Sequence, residues 1–175
     1  MFEIYTIHES KAWDDKVVSL PNHDIYYLSG YLKAFMIHGD GSPILLYYEE
    51  GDLRGICAFM LRDLADEWWV ENIPKMDCYD AVTPYGYGGW LMNRECTKGE
   101  IEHFWKEYIA FMKKQRIVCA FSRWSPWLKN QEPFRDFSNI IDLGNTIYID
   151  TTTEDGIMEN IKSKDRSTIR KAVKN

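Results

Sequence analysis

The stretch from Tyr79 to Asn93, "YDAVTPYGYGGWLMN", gathers three glycines and three tyrosines around a single proline. Glycines so clustered can cradle a phosphate, let backbone approach a ligand closely, or reverse the chain between strands. A dinucleotide loop needs GxGxxG at a strand-to-helix junction. Gly86, Gly88 and Gly89 have neither that spacing nor a helix start behind them. A Walker loop ends in GK[ST], whereas here Gly89 is followed by Trp90, and no Lys or Arg lies between Lys75 and Arg94. What remains is a tight turn whose entry is stiffened by Pro84. Tyr85 and Tyr87 each offer a flat apolar face with a hydroxyl at its rim. That combination suits a small polar ligand such as a sugar or a peptide, and it equally suits a turn with packed tyrosines. In the first case the segment forms one wall of an open groove.

Other residues with chemical potential lie close by in sequence. Asp77, Asp80 and Glu71 precede the turn and could hold an amine or take its proton; acids at such places are more often solvated or capping. Trp124, Trp127 and Phe134 in "WSPWLKNQEPF" could cover a cleft or anchor a long loop. The four cysteines (Cys57, Cys78, Cys96, Cys119) and four histidines (His8, His23, His38, His103) have no ligand spacing, so no metal site is expected.

The 175 residues suit one domain with a substantial core. A hydrophobic fraction of 45%, with 15% aromatic residues, excludes a disordered chain. Net charge is −6, but residues 162–175, "KSKDRSTIRKAVKN", carry six Lys/Arg and one Asp, a net of +5, which leaves −11 on residues 1–161. An acidic body opposes general nucleic-acid binding, because phosphate repulsion weakens it everywhere except at the tail. No basic segment leads into an apolar run at the start, and no eighteen-residue apolar window occurs. The expectation is a cytoplasmic protein with neither signal peptide nor membrane span.

The elements that must position these residues follow from hydrophobic period and caps. "FEIYTIH" alternates as an opening strand, and "SKAWDDKVVSLP" reads as a helix with Ser10 as N-cap. Leu28, Tyr31, Leu32 and Phe35 give a second helix, broken at "GDG". "PILLYYEEGDLRGICAFMLRD" reads as a hairpin turning at "EEGD", and "EWWVENI" as a third strand. "TKGEIEHFWKEYIAFMKKQ" is the clearest helix: Thr97 and Glu100 make a capping box, and Ile101, Phe104, Trp105, Tyr108, Ile109 and Met112 form its apolar stripe. "RIVCAFSR" reads as a buried strand and "NTIYIDT" as another. Helices are expected over "TTEDGIMENIKS", behind a threonine cap, and over "RSTIRKAVKN". Arg166, Arg170 and Lys174, spaced i, i+4 and i+8, share one face of the last. This order predicts an α/β fold with a central mixed, mainly antiparallel sheet and helices on both faces.

"YDAVTPYGYGGWL" resembles the T/S-P-Y-G-Y-G-G segment in the first domain of FemAB-like acyltransferases, within the acetyltransferase superfamily called GNAT. "SKDRSTIRKAVKN" resembles the R-x-x-I-R-K-A-x-K-x-G helix found further on in such proteins. The two motifs stand in the family's order, and the resemblance spans nearly the whole chain. It implies a GNAT-like domain over residues 1–161, with 162–175 starting a connection to a second GNAT-like domain beyond Asn175. It implies N-acyl or aminoacyl transfer to a small-molecule or peptidoglycan-precursor-like amine acceptor, with acyl-coenzyme A or aminoacyl-tRNA as donor. The substrate-binding positions so implied are Tyr85, Gly86, Tyr87, Gly88, Lys33 (in "YLKAF"), Arg166 and Arg170. No R/Q-x-x-G-x-G/A loop for a coenzyme A pyrophosphate is present, since Thr83 stands where its basic residue would be. No cofactor is therefore expected in this chain, which by itself would be inactive. A non-catalytic sugar- or peptide-binding module is the alternative, and no catalytic base is assigned.

Overall fold

A computed structural model describes residues 1–66, 77–148, 151–152 and 154–174. Two compact units result, Met1–Ile140 and Ile141–Asn175. The first is a mixed α/β unit built on a six-stranded, mostly antiparallel sheet. The strands are β1 (Phe2–Thr6), β2 (Ser42–Glu50), β3 (Leu53–Asp63), β4 (Tyr79–Val82), β5 (Leu91–Met92) and β6 (Ile117–Phe121). Its order is β1-β2-β3-β4-β6, with β5 also pairing β3, and among the described strands β4 and β6 are the one parallel pair. The expected strand over "EWWVENI" lies outside the described residues.

Sheet and helices are held together by two cores, one on each face. Along β2, Ile44, Leu46 and Tyr48 face one core while Leu45 and Tyr47 face the other; along β3, Cys57 and Phe59 oppose Ile56, Ala58 and Met60. Strands buried on both sides lose the apolar–polar alternation, which is why "PILLYY" and "GICAFML" read as continuous apolar runs. The first core is closed by α3 (Lys98–Lys114), the second by α1 (Ser10–Val18) and α2 (Ser29–His38).

At α3 and α2 the first amides find side-chain acceptors. Thr97 accepts from the Glu100 N–H and the Glu100 carboxylate returns to the Thr97 N–H at 2.8 Å, completing the capping box at α3. Ser10 is not a cap: it is already helical, and a 3-10 turn over Ile7–Glu9 precedes it. α2 has Leu28 at its N-cap, which offers no side-chain acceptor. Asp14 of α1 supplies it instead, taking the Ser29 N–H at 2.8 Å and the Ser29 hydroxyl at 3.0 Å.

The α3 core is largely aromatic. Phe104 is fully buried and meets Tyr48 at 4.8 Å and Trp90 at 4.9 Å between ring centres, both edge-on. Edge-on pairs gain from the ring quadrupoles beyond the area they bury.

Two expectations are corrected. β6 is not a buried strand: beyond Ile117 its residues are exposed, Val118 by 61% and Phe121 by 55%. It lies at one end of the sheet, with β4 its only strand partner among the described residues. An apolar pentapeptide looks the same in sequence whether it ends a sheet or fills its middle. Over "NTIYIDT", residues 145–148 form no strand and Ile147 and Tyr148 are exposed. In the second unit, α4 (Glu154–Asn160) and α5 (Ser163–Lys174) are helical.

Two predictions follow from α3. Phe104→Ala should lower stability by about 3–5 kcal/mol in urea denaturation, the usual cost of emptying an aromatic core site. Arg94, donating at 2.7 Å, and then the Thr97 groups hold the Glu100 carboxyl at about 2 against an ordinary 4.5. A carboxyl lowered by folding stabilises fully above its unfolded value and loses that effect as pH falls through its folded one. Glu100→Gln should therefore flatten the loss of stability between pH 4.5 and 2, read as melting temperature against pH.

Candidate functional site: a tied glycine loop and its aromatic surface

β3 accepts two partners along one edge. Met60–Asp63 pair with β4, and Gly55–Ile56 pair with β5. The glycine-rich segment spans the interval between them. It leaves β4 at Thr83, whose N–H donates to the Phe121 carbonyl at 3.0 Å and whose hydroxyl accepts from the Arg123 N–H at 3.0 Å. It returns at Gly88, whose N–H donates to the Arg123 carbonyl at 2.7 Å. Between these two anchor points Pro84 is buried, Gly86 and Tyr87 are half-buried, and Tyr85 alone is exposed.

Side chains from distant parts of the chain take up the loop's carbonyls. Tyr31 Oη donates to Tyr85 O at 2.7 Å and Tyr27 Oη to Gly89 O at 3.1 Å. Asn130 Nδ2 donates to Gly88 O at 2.9 Å and Trp90 O at 3.1 Å. Two positions admit only glycine. Gly86 has φ +107° and Gly89 φ +82°, and a Cβ would stand 2.3 Å from the Tyr26 ring at the first and 2.3 Å from the Trp124 ring at the second. The turn is thus a rigid, packed element and not a pliable flap.

Around it lies an aromatic surface. Tyr26 meets Tyr31 at 5.2 Å and Tyr87 at 5.8 Å, and Tyr87 meets Trp127 at 5.0 Å, all edge-on. Tyr85 stands 77% exposed, with the Arg123 guanidinium 5.7 Å from its ring centre. Partial burial, and for Tyr26 the nearby Asp24, raises the hydroxyls of Tyr26 and Tyr31 above their ordinary value, so both remain neutral donors at physiological pH. Burial pushes the Cys57 thiol well up, with the Gly89 N–H only partly opposing it, and no nucleophile arises there.

The residues singled out in the sequence fall into three places. Tyr85, Gly86, Tyr87 and Gly88 share this loop. Lys33 is exposed on α2, two residues beyond Tyr31. Arg166 and Arg170 belong to the second unit, on α5, where Arg166 Nη1 donates to the Met158 carbonyl at 3.3 Å. The candidate bases are engaged: Asp80 accepts from Arg62 Nε at 2.8 Å and from Nη2, and Asp77 pairs with Arg116. Glu71 lies outside the described residues. Trp124 and Phe134 stack at 5.6 Å against the α3 core, whereas Trp127, half exposed, joins the surface. Tyr26, Tyr27, Tyr31, Arg123 and Asn130 were not foreseen as part of the site. The crowding of tyrosines in "IYYLSGY" was the one hint.

Among the described residues no group of three His, Cys, Asp or Glu side chains could hold a metal ion, and no helix is long and apolar enough to cross a membrane. Comparison with family models, with curated proteins and with solved structures returns no match.

Gly86→Ala and Gly89→Ala should each destabilise by more than about 1 kcal/mol, through backbone strain and ring displacement. Tyr85→Ala should change stability by less than about 0.5 kcal/mol, as exposed substitutions do. Denaturant titration of the three variants checks both.

Proposed function

We propose that residues 1–140 carry the acceptor-binding surface of a cytoplasmic, FemAB-like N-acyltransferase or aminoacyltransferase with a GNAT-like fold. The acceptor is an amine-bearing sugar–peptide of peptidoglycan-precursor type. The acyl donor is acyl-coenzyme A or aminoacyl-tRNA, bound with the help of a second GNAT-like domain. The observation that carries this reading is the exposed Tyr85 beside Tyr87, Trp127 and Arg123 on a backbone tied at four carbonyls. Flat aromatic faces stack on sugar rings and peptide planes, and a surface that is already ordered spends little free energy on binding. The resemblance of "TPYGYGG" and of the basic helix adds the reaction class. Acyl transfer also needs a base and an oxyanion partner, and these would come with the donor domain.

One observation favours the alternative of a binding module without chemistry. Asp77 and Asp80, the acids nearest the loop in sequence, are both in ion pairs with arginines. A carboxylate so engaged is not free to hold an acceptor amine.

Calorimetry with a nucleotide-linked amino-sugar peptide tests the surface, and a transfer assay on the longest chain the gene encodes tests the chemistry. The expected result is binding that Tyr85→Ala or Tyr87→Ala weakens by about 1–3 kcal/mol, as loss of an aromatic anchor does. Coenzyme A alone should give no binding at micromolar concentration. Binding unchanged in both variants would sink the acceptor-surface reading. Binding without transfer would favour the module.

A further inference from the structure

We propose that Asn130 is the positioning residue that makes the glycine loop and the Trp127 loop into one surface. Its side chain is used at both ends. Oδ1 accepts the Ser125 N–H at 3.1 Å, and Nδ2 reaches Gly88 O at 2.9 Å, Trp90 O at 3.1 Å and Tyr27 Oη at 3.4 Å. A flipped amide would set oxygen against two carbonyls, so the orientation is fixed by its partners. Residues 125–130 form a tight turn: Ser125 O accepts the Lys129 N–H at 3.1 Å, and Lys129 has φ +50°. Trp127 lies on that turn and meets Tyr87 edge-on. Among the described residues, every hydrogen bond from 125–131 to 84–90 is made by Asn130.

Asn is the residue this geometry requires. Aspartate would still accept from Ser125 but could donate to neither carbonyl, and would set a negative charge beside both. Alanine would lose both ends at once. The inference holds whether or not the surface takes the ligand proposed above, because it concerns how Tyr87 and Trp127 are brought together.

The test is nuclear magnetic resonance on the whole chain, with wild type, Asn130→Asp and Asn130→Ala compared. Three signals are read: ring-to-ring cross-peaks between Tyr87 and Trp127, those between Tyr48 and Phe104, and exchange of the Ser125 amide. Both variants should lose the Tyr87–Trp127 cross-peak and keep the Tyr48–Phe104 one. The Ser125 amide should exchange about tenfold faster in Asn130→Ala alone, the effect of losing one hydrogen bond. A Tyr87–Trp127 cross-peak of wild-type strength in Asn130→Asp would overturn the proposal. So would loss of the Tyr48–Phe104 cross-peak in both variants, since Asn130 would then support the fold at large and not the surface.

Discussion

The structure turns on the divided edge of β3. One strand serves two partners, β4 near its C-terminal end and β5 near its start, and among the described residues no strand lies beside Cys57–Phe59 on that edge. Unpaired backbone inside a protein is costly unless other groups meet it. The segment from Thr83 to Trp90 must therefore leave one register and join another within a few residues. Glycine at two left-handed positions lets it do so, and the bonds to Phe121 and Arg123 fix where it departs and returns.

From that constraint the surface chemistry follows. A loop that departs from a sheet exposes carbonyls, and here Tyr27, Tyr31 and Asn130 take them up. Tyrosine answers two needs at once, since its hydroxyl satisfies backbone while its ring covers neighbouring rings. With the backbone satisfied from beneath, Tyr85 is left to face solvent. The site's order is thus a by-product of solving a hydrogen-bonding problem.

How much of this could be read in advance depended on the range of the interaction. The capping box at Thr97 and the stripe from Ile101 to Met112 are local, and α3 appeared as the sequence implied, save that Ile109 of the stripe is exposed. The hairpin was equally plain, because its two runs flank a turn. β4 and β5 were not foreseen: strands of four and two residues are too short to show a period of two. "IVCAF" reads as a buried strand while β6 is mostly exposed, because burial of an apolar run depends on what lies beside it. The site was half legible. Its glycines and two of its tyrosines stood out, but Tyr27 and Asn130 reach the loop across 62 and 42 residues of chain. No local pattern encodes a partner that far away.

That distance has a kinetic side. Contacts between residues well separated along a chain are closed late, because loop entropy must be overcome before they return any energy. α3 and the β2–β3 hairpin rest on neighbours in sequence and can take shape early. The knot of Tyr27, Gly88, Gly89 and Asn130 needs three remote segments to arrive together. It is the part of the unit expected to form last, after the sheet to which it is tied already stands.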